Sequence, residues 1–102
     1  MAVSASVLYP KGADFNMEYY LSTHMPLVQA RWGPFGLKSW KVVKYDENAS
    51  FSVQASLEWE SEDALNKALQ SEEAKEIFGD VSNFTTSKPE LVRGEVQAFV
   101  TL

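Results

Sequence analysis

The chain has 102 residues, 45% of them hydrophobic, with one His, no Cys and a formal charge of −5 from 9 Lys and Arg against 14 Asp and Glu. One ordinary globular domain spanning residues 1–102 fits this length and composition. A thiolate metal site, a Cys nucleophile, a disulfide framework and a His-rich zinc site within one chain are excluded, and the acidic balance argues against a nucleic-acid surface.

The first predicted element is a strand over Val3–Tyr9, where Val3, Ala5, Val7 and Tyr9 alternate with Ser4, Ser6 and Leu8. Pro10, Lys11 and Gly12 end it in a turn. A helix follows. Asn16 is a good N-cap, Glu18 suits the positive end of the helix dipole, and Phe15 and Tyr20 are spaced as a hydrophobic staple. Pro26 then interrupts the pattern, because it has no N–H and would crowd the carbonyl of Ser22. The expectation is a helix over Met17–Ser22, a kink or break at Thr23–Met25, and a second segment to Trp32. That break would leave carbonyls near His24 short of partners.

A second strand is predicted over Leu37–Tyr45, interrupted by Lys38, Lys41 and Lys44 in the manner of an edge. The third, Phe51–Glu60, alternates strictly. Phe51, Val53, Ala55, Leu57 and Trp59 share one face, and Ser52, Gln54, Ser56, Glu58 and Glu60 the other. Ser61 caps a helix with the stripe Ala64, Leu65, Ala68, Leu69, and Ser71 caps a shorter one ending at Gly79. The glutamates at 72, 73 and 76 read as its solvated face. The last strand is predicted over Arg93–Leu102.

This β-α-β-β-α-β order is the ferredoxin-like arrangement, an α+β fold with a four-stranded antiparallel sheet and helices on one face. The opposite face, with Ser4, Ser6, Leu8, Ser52, Gln54 and Ser56, is semi-polar. Periodicity leaves two arrangements open: this face meets water, or it meets the same face of a second copy. No run approaches the 18 apolar residues that suggest a membrane span. Met1–Tyr9 has no signal-peptide pattern, so a cytoplasmic location without membrane attachment is expected.

His24 is the one side chain that titrates near neutral pH when unperturbed, so any general acid/base chemistry there centres on it. The competing reading is an imidazole that satisfies the carbonyls freed by Pro26. Tyr20 lies four residues earlier, on the same helical face, and Tyr19 is one step round. Either could assist His24 or pack as a core aromatic. With three Trp and six Phe, the chain can also build an apolar pocket. The candidate lining residues are Tyr9, Trp40, Phe51, Gln54 and Phe99. No Gly-rich phosphate loop or nucleophile elbow is present, and neither a metal nor a cofactor is expected.

The stretch Leu8–Val28 resembles the EthD family, named for a protein of ethyl tert-butyl ether degradation. It carries Tyr9-Pro10, a Gly12 turn, Phe15-Asn16 where the family has Phe-Asp, the Tyr19-Tyr20 pair, and His24-Met25-Pro26-Leu27-Val28. Either Asn or Asp caps a helix, so that departure is neutral. The resemblance implies a homodimeric α+β barrel in which two ferredoxin-like subunits pack sheet against sheet. Barrels of this kind host small monooxygenases, lactone isomerases, dehydratases and cyclases. The expected function is cofactor-free acid/base chemistry on an apolar, oxygen-bearing aromatic or lactone-type compound. The alternative is a non-catalytic binding or accessory protein with a structural His24.

Overall fold

The structure is a computed structural model that describes residues 2–11 and 14–102. The expected turn position Gly12 lies outside the described residues.

Four strands form one antiparallel sheet: β1 (Val3–Pro10), β2 (Leu37–Lys44), β3 (Phe51–Trp59) and β4 (Glu90–Glu95), in the order β2-β3-β1-β4. The first helical stretch runs from α1 (Met17–Tyr19) through a π turn (Tyr20–His24) into α2 (Met25–Trp32). After β3 come α3 (Glu62–Leu69) and α4 (Glu72–Gly79). This is the ferredoxin-like α+β fold. The core lies between the sheet and the helices. Ala5 and Tyr9 of β1 and Val53, Ala55, Leu57 and Trp59 of β3 pack there beneath Met25, Val28, Trp32, Leu65, Ala68 and Ile77.

The three predicted caps all form. Asn16 accepts from the Tyr19 N–H at 3.0 Å, Ser61 from Ala64 at 3.0 Å and Ser71 from Ala74 at 3.2 Å. Each satisfies a donor that the helix start would otherwise leave free. The staple forms as well, with the Phe15 and Tyr20 rings edge to face at 4.9 Å. Gly36, at φ +113, adopts a conformation that L side chains avoid, and a Cβ there would stand 2.9 Å from the Ala64 Cβ.

Two expectations need correction. The helix does not break at Thr23–Met25. The Met25 N–H reaches back to the Tyr20 carbonyl, and the widened turn lets the helix pass into α2 with Pro26 in its first turn. Pro26 has no N–H, so it leaves one carbonyl of the preceding turn without an intrahelical donor. The last strand is Glu90–Glu95 rather than Arg93–Leu102. Its register pairs Leu8 with Glu90 and Val3 with Glu95, so β1 ends where the predicted strand was to continue. Beyond it, the Val96 N–H still reaches the Ala2 carbonyl at 3.0 Å. From there the alternation of Val96, Ala98 and Val100 has no ladder to join, and Phe99 is 75% exposed.

The outer face of the sheet is half-buried and polar. Gln54 donates to Ser6 and Ser56 at 3.2 Å each and accepts from the Tyr45 hydroxyl, while Ser4 donates to Glu58 at 2.8 Å. Among the described residues, no helix is long and apolar enough to cross a membrane.

Candidate functional site

The π turn fixes the site. It places Tyr20 and His24 one above the other, with rings nearly parallel (14°) and centroids 5.3 Å apart. Such turns recur at functional sites because the extra residue re-aims the side chains around it. The Phe84 ring closes in at 4.6 Å from the imidazole. Phe84 is held in place by its own backbone, whose carbonyl accepts from the Asn16 N–H at 2.8 Å. The start of the first helix is thereby tied to the segment that follows α4.

His24 is 4% exposed. Its Nδ1 lies 2.9 Å from Oδ2 of Asp80, the residue that ends α4. Freed carbonyls near Pro26 are therefore not its partner, as the structural reading had it. A carboxylate is. Asp80 also accepts from the Tyr19 hydroxyl at 2.7 Å and from the Asn83 amide at 2.9 Å, both on Oδ1. Burial works against the charge of Asp80, but hydrogen bonds from Tyr19, Asn83 and His24 outweigh it and hold the carboxyl below its ordinary range. Burial also lowers the His24 pKa, with the Asp80 carboxylate opposing in part. The imidazole is therefore neutral at pH 7. An ionised acceptor at Nδ1 selects the tautomer with the proton on that nitrogen and leaves Nε2 with its lone pair.

The two tyrosines divide their roles. Tyr19 is bonded to Asp80, which raises its pKa. Tyr20 stacks on His24 and turns its hydroxyl toward Tyr9. Burial pushes Tyr9 up to about 12 and raises Tyr20 as well, so both phenols are neutral hydrogen-bonding groups.

His24, Tyr20 and Tyr9 line a small cavity of about 40 Å³ between helices and sheet, closed otherwise by apolar side chains such as Val28, Trp32, Leu57 and Ile77. A ligand pocket usually needs roughly 300–1,000 Å³, so this cavity alone holds no more than a few solvent-sized groups. It adjoins an open cleft of about 700 Å³, and the two share Val7, Phe78, Val81, Pro89 and Leu91 as walls. Phe78 and Leu91 are 47% and 43% exposed, so the partition is made of side chains with room to move.

Of the expected lining residues, Tyr9 faces this cavity and the other four do not. Trp40 lies over α2, its indole N–H donating to Gln29 at 2.9 Å. Phe51 lines a separate surface cleft with Lys44 and Tyr45. Gln54 points to the outer face of the sheet, because it alternates with the buried Val53 and Ala55. Phe99 lies on the exposed segment beyond β4. Sequence reasoning missed Asp80 and Asn83. The available signal was an acid at the end of α4 just after Gly79, which reads as a turn residue. Among the described residues, no group of three or more His, Cys, Asp or Glu is placed to hold a metal ion.

Neither family models nor curated proteins yield a match to the chain. Solved structures do. An EthD-like protein from Ralstonia eutropha is 30% identical over 95% of this chain and 93% of its own, with a TM-score of 0.83. An ethyl tert-butyl ether d (EthD) family protein from Bacillus halodurans is 24% identical over 95% of this chain and 100% of its own, with a TM-score of 0.76. SnoaB, a cofactor-independent oxygenase from Streptomyces nogalater, shares the fold at 13% identity and a TM-score of 0.61, covering 97% of this chain and 95% of its own.

Proposed function

We propose, from the premise that this chain belongs to the EthD family, that it binds a small apolar, oxygen-bearing compound and removes a proton beside its carbonyl. The observation that carries this reading is the 2.9 Å bond from Asp80 to His24 Nδ1 at the wall of an apolar cavity. A neutral imidazole with Nδ1–H held by a carboxylate has Nε2 available as a base. The imidazolium that forms on taking the proton is stabilised by the carboxylate already in place. Tyr9 and Tyr20, both neutral, line the cavity with their rings, and its wall is almost wholly apolar. Enolisation of this kind is the first step of isomerisation and dehydration, and it also prepares a carbon acid for oxygenation. The fold shared with SnoaB is compatible with the last outcome.

The test uses acetophenone as the simplest aryl ketone. Its methyl protons should exchange in D2O faster with the wild-type protein than with His24→Ala, and the His24 ring resonances should move on binding. Exchange no faster than with His24→Ala, with unmoved resonances, overturns the proposal.

A second reading rests on one observation: His24 is packed between Tyr20 and Phe84 and almost closed to solvent. In that case the protein is a non-catalytic binding or accessory protein, and His24 joins the first helix to α4. Binding of acetophenone without exchange selects this reading.

We also propose a homodimer formed through the outer sheet face. The half-buried Ser and Gln side chains there suit a semi-polar contact, and a dimeric protein of ferredoxin-like fold from Bacteroides fragilis shares the architecture at 13% identity and a TM-score of 0.62. Light scattering that gives a monomer at micromolar concentration removes the dimer.

A further inference from the structure

The open cleft outside the cavity differs in chemistry from the cavity itself. Its outer wall carries Ser82, Thr86, Ser87 and Lys88, on the segment between α4 and β4. Thr85 anchors this segment from beneath. It is 5% exposed, its Oγ1 is 3.1 Å from the Ser87 hydroxyl, and it accepts from the Ser87 N–H at 3.2 Å. Phe15 bridges to Thr85 from the other side. The rim is thus tied to both the first helix and its own turn.

Charge is the informative feature. The chain carries 14 acids against 9 bases, yet among the described residues the cleft is lined by one Lys and no Asp or Glu. The neighbouring Glu90 is directed away from it. Glu90 stands opposite Leu8 in the ladder, and Leu8 alternates with the core-facing Val7 and Tyr9, so both belong to the outer face of the sheet. Asp80 is turned inward to His24 and Tyr19. A cleft of about 700 Å³ is large enough for a small molecule, and it runs from hydroxyls and an ammonium at its rim to apolar walls shared with the His24 cavity.

We infer that the ligand is an amphipathic monoanion, an aryl or alicyclic keto acid, whose carboxylate rests on Lys88 and the Ser87 and Thr86 hydroxyls while its apolar body and carbonyl enter toward His24. The inference rests on the reading of His24 given above and adds the polar half of the substrate. Low-dielectric walls beside a single cation concentrate its field along the cleft, which favours entry of the anion in one orientation.

The test compares 4-acetylbenzoate with the neutral 4-acetylbenzamide, followed by titration of the protein in low salt. The carboxylate should bind about two- to fivefold more tightly, the range of an exposed ion pair. Lys88→Gln should abolish that preference, Lys88→Glu should invert it, and added salt should weaken it. Equal affinities in the wild type, or a preference that survives Lys88→Glu, overturn the inference. 4-Acetylbenzamide separates the two ideas, since its effect on the His24 resonances does not depend on Lys88. If neither compound binds or moves those resonances, the reading of His24 fails and this inference falls with it.

Discussion

The two faces of the sheet each carry a polar network, and the networks are built differently. On the outer face, Ser4, Ser6, Gln54 and Ser56 exchange hydrogen bonds across regular strands, half in contact with solvent. On the inner side, Asp80 gathers His24, Tyr19 and Asn83 from a π turn, a helix end and a short 3-10 turn, beneath Phe84 and Tyr20. The outer network consists of neutral amide and hydroxyl groups, apart from the Glu58 that accepts from Ser4, and any of them can exchange its partner for water. The inner one holds an ionised carboxylate and an imidazole whose partners water cannot easily replace. Polarity on a strand face therefore marks a surface that tolerates a change of partner. Polarity assembled from irregular backbone at the edge of the core, around a buried imidazole, marks a site.

The sharpest way to test that contrast is Asp80→Ala. It strands the Nδ1–H of the buried His24 and leaves the Tyr19 hydroxyl to water, so it should lower stability by about 1–3 kcal/mol in chemical denaturation, the scale for leaving a buried donor unpaired. A loss below about 1 kcal/mol would mean that the inner network is no more committed than the outer one.

Acid should expose the same difference. Burial depresses the His24 pKa below its ordinary 6.5, so between the two values the unfolded chain binds more protons than the folded one, and stability falls as pH drops through that window. Asp80 has a depressed pKa of its own, so its contribution is complete above the ordinary 3.8 and is lost as pH falls through the lower folded value. A pH series of denaturation curves should show the upper step in the wild type and lose it in His24→Phe. An upper step that persists in His24→Phe would assign it elsewhere.

Tyr19→Phe removes one of the donors to Asp80 and should cost less stability than Asp80→Ala, because the donors from His24 and Asn83 remain. It should also shift the His24 titration in NMR, because the carboxylate turns more of its charge to the imidazole. Gln54→Ala should have the smallest effect on the isolated chain, within about 1 kcal/mol, since water can replace its partners. It should leave the His24 titration unmoved, and a shift there would break the separation of the two faces.

How far the sequence could go follows the same division. The strict alternation of Phe51–Glu60 and the caps at Asn16, Ser61 and Ser71 express local rules, and the structure follows them. His24, Tyr19 and Tyr20 were visible because they share one short stretch. Asp80 was not, because it stands 56 residues from His24 and its position after Gly79 looks like a turn. The extent of β4 was misplaced because alternation says which residues could pair, whereas the length of β1 decides which do. The π turn was hidden for another reason. Pro26 announces a conflict in the helix, and nothing local says whether a break or a wider turn resolves it.

That wider turn has a consequence for insertions and deletions. An α-helix advances its side chains by about 100° per residue. The π turn accommodates an added residue between Tyr20 and Met25 while leaving the helix continuous, so the faces before and after it keep their phase toward the core. Deleting Leu21, Ser22 or Thr23, each exposed, would remove no buried side chain. It would return the turn to ordinary α-helical spacing, with Met25 still one turn beyond Tyr20, but it would set His24 three residues from Tyr20 instead of four and so disturb the ring stack between them. The exposed residues of the turn thus set the angle between the two buried rings.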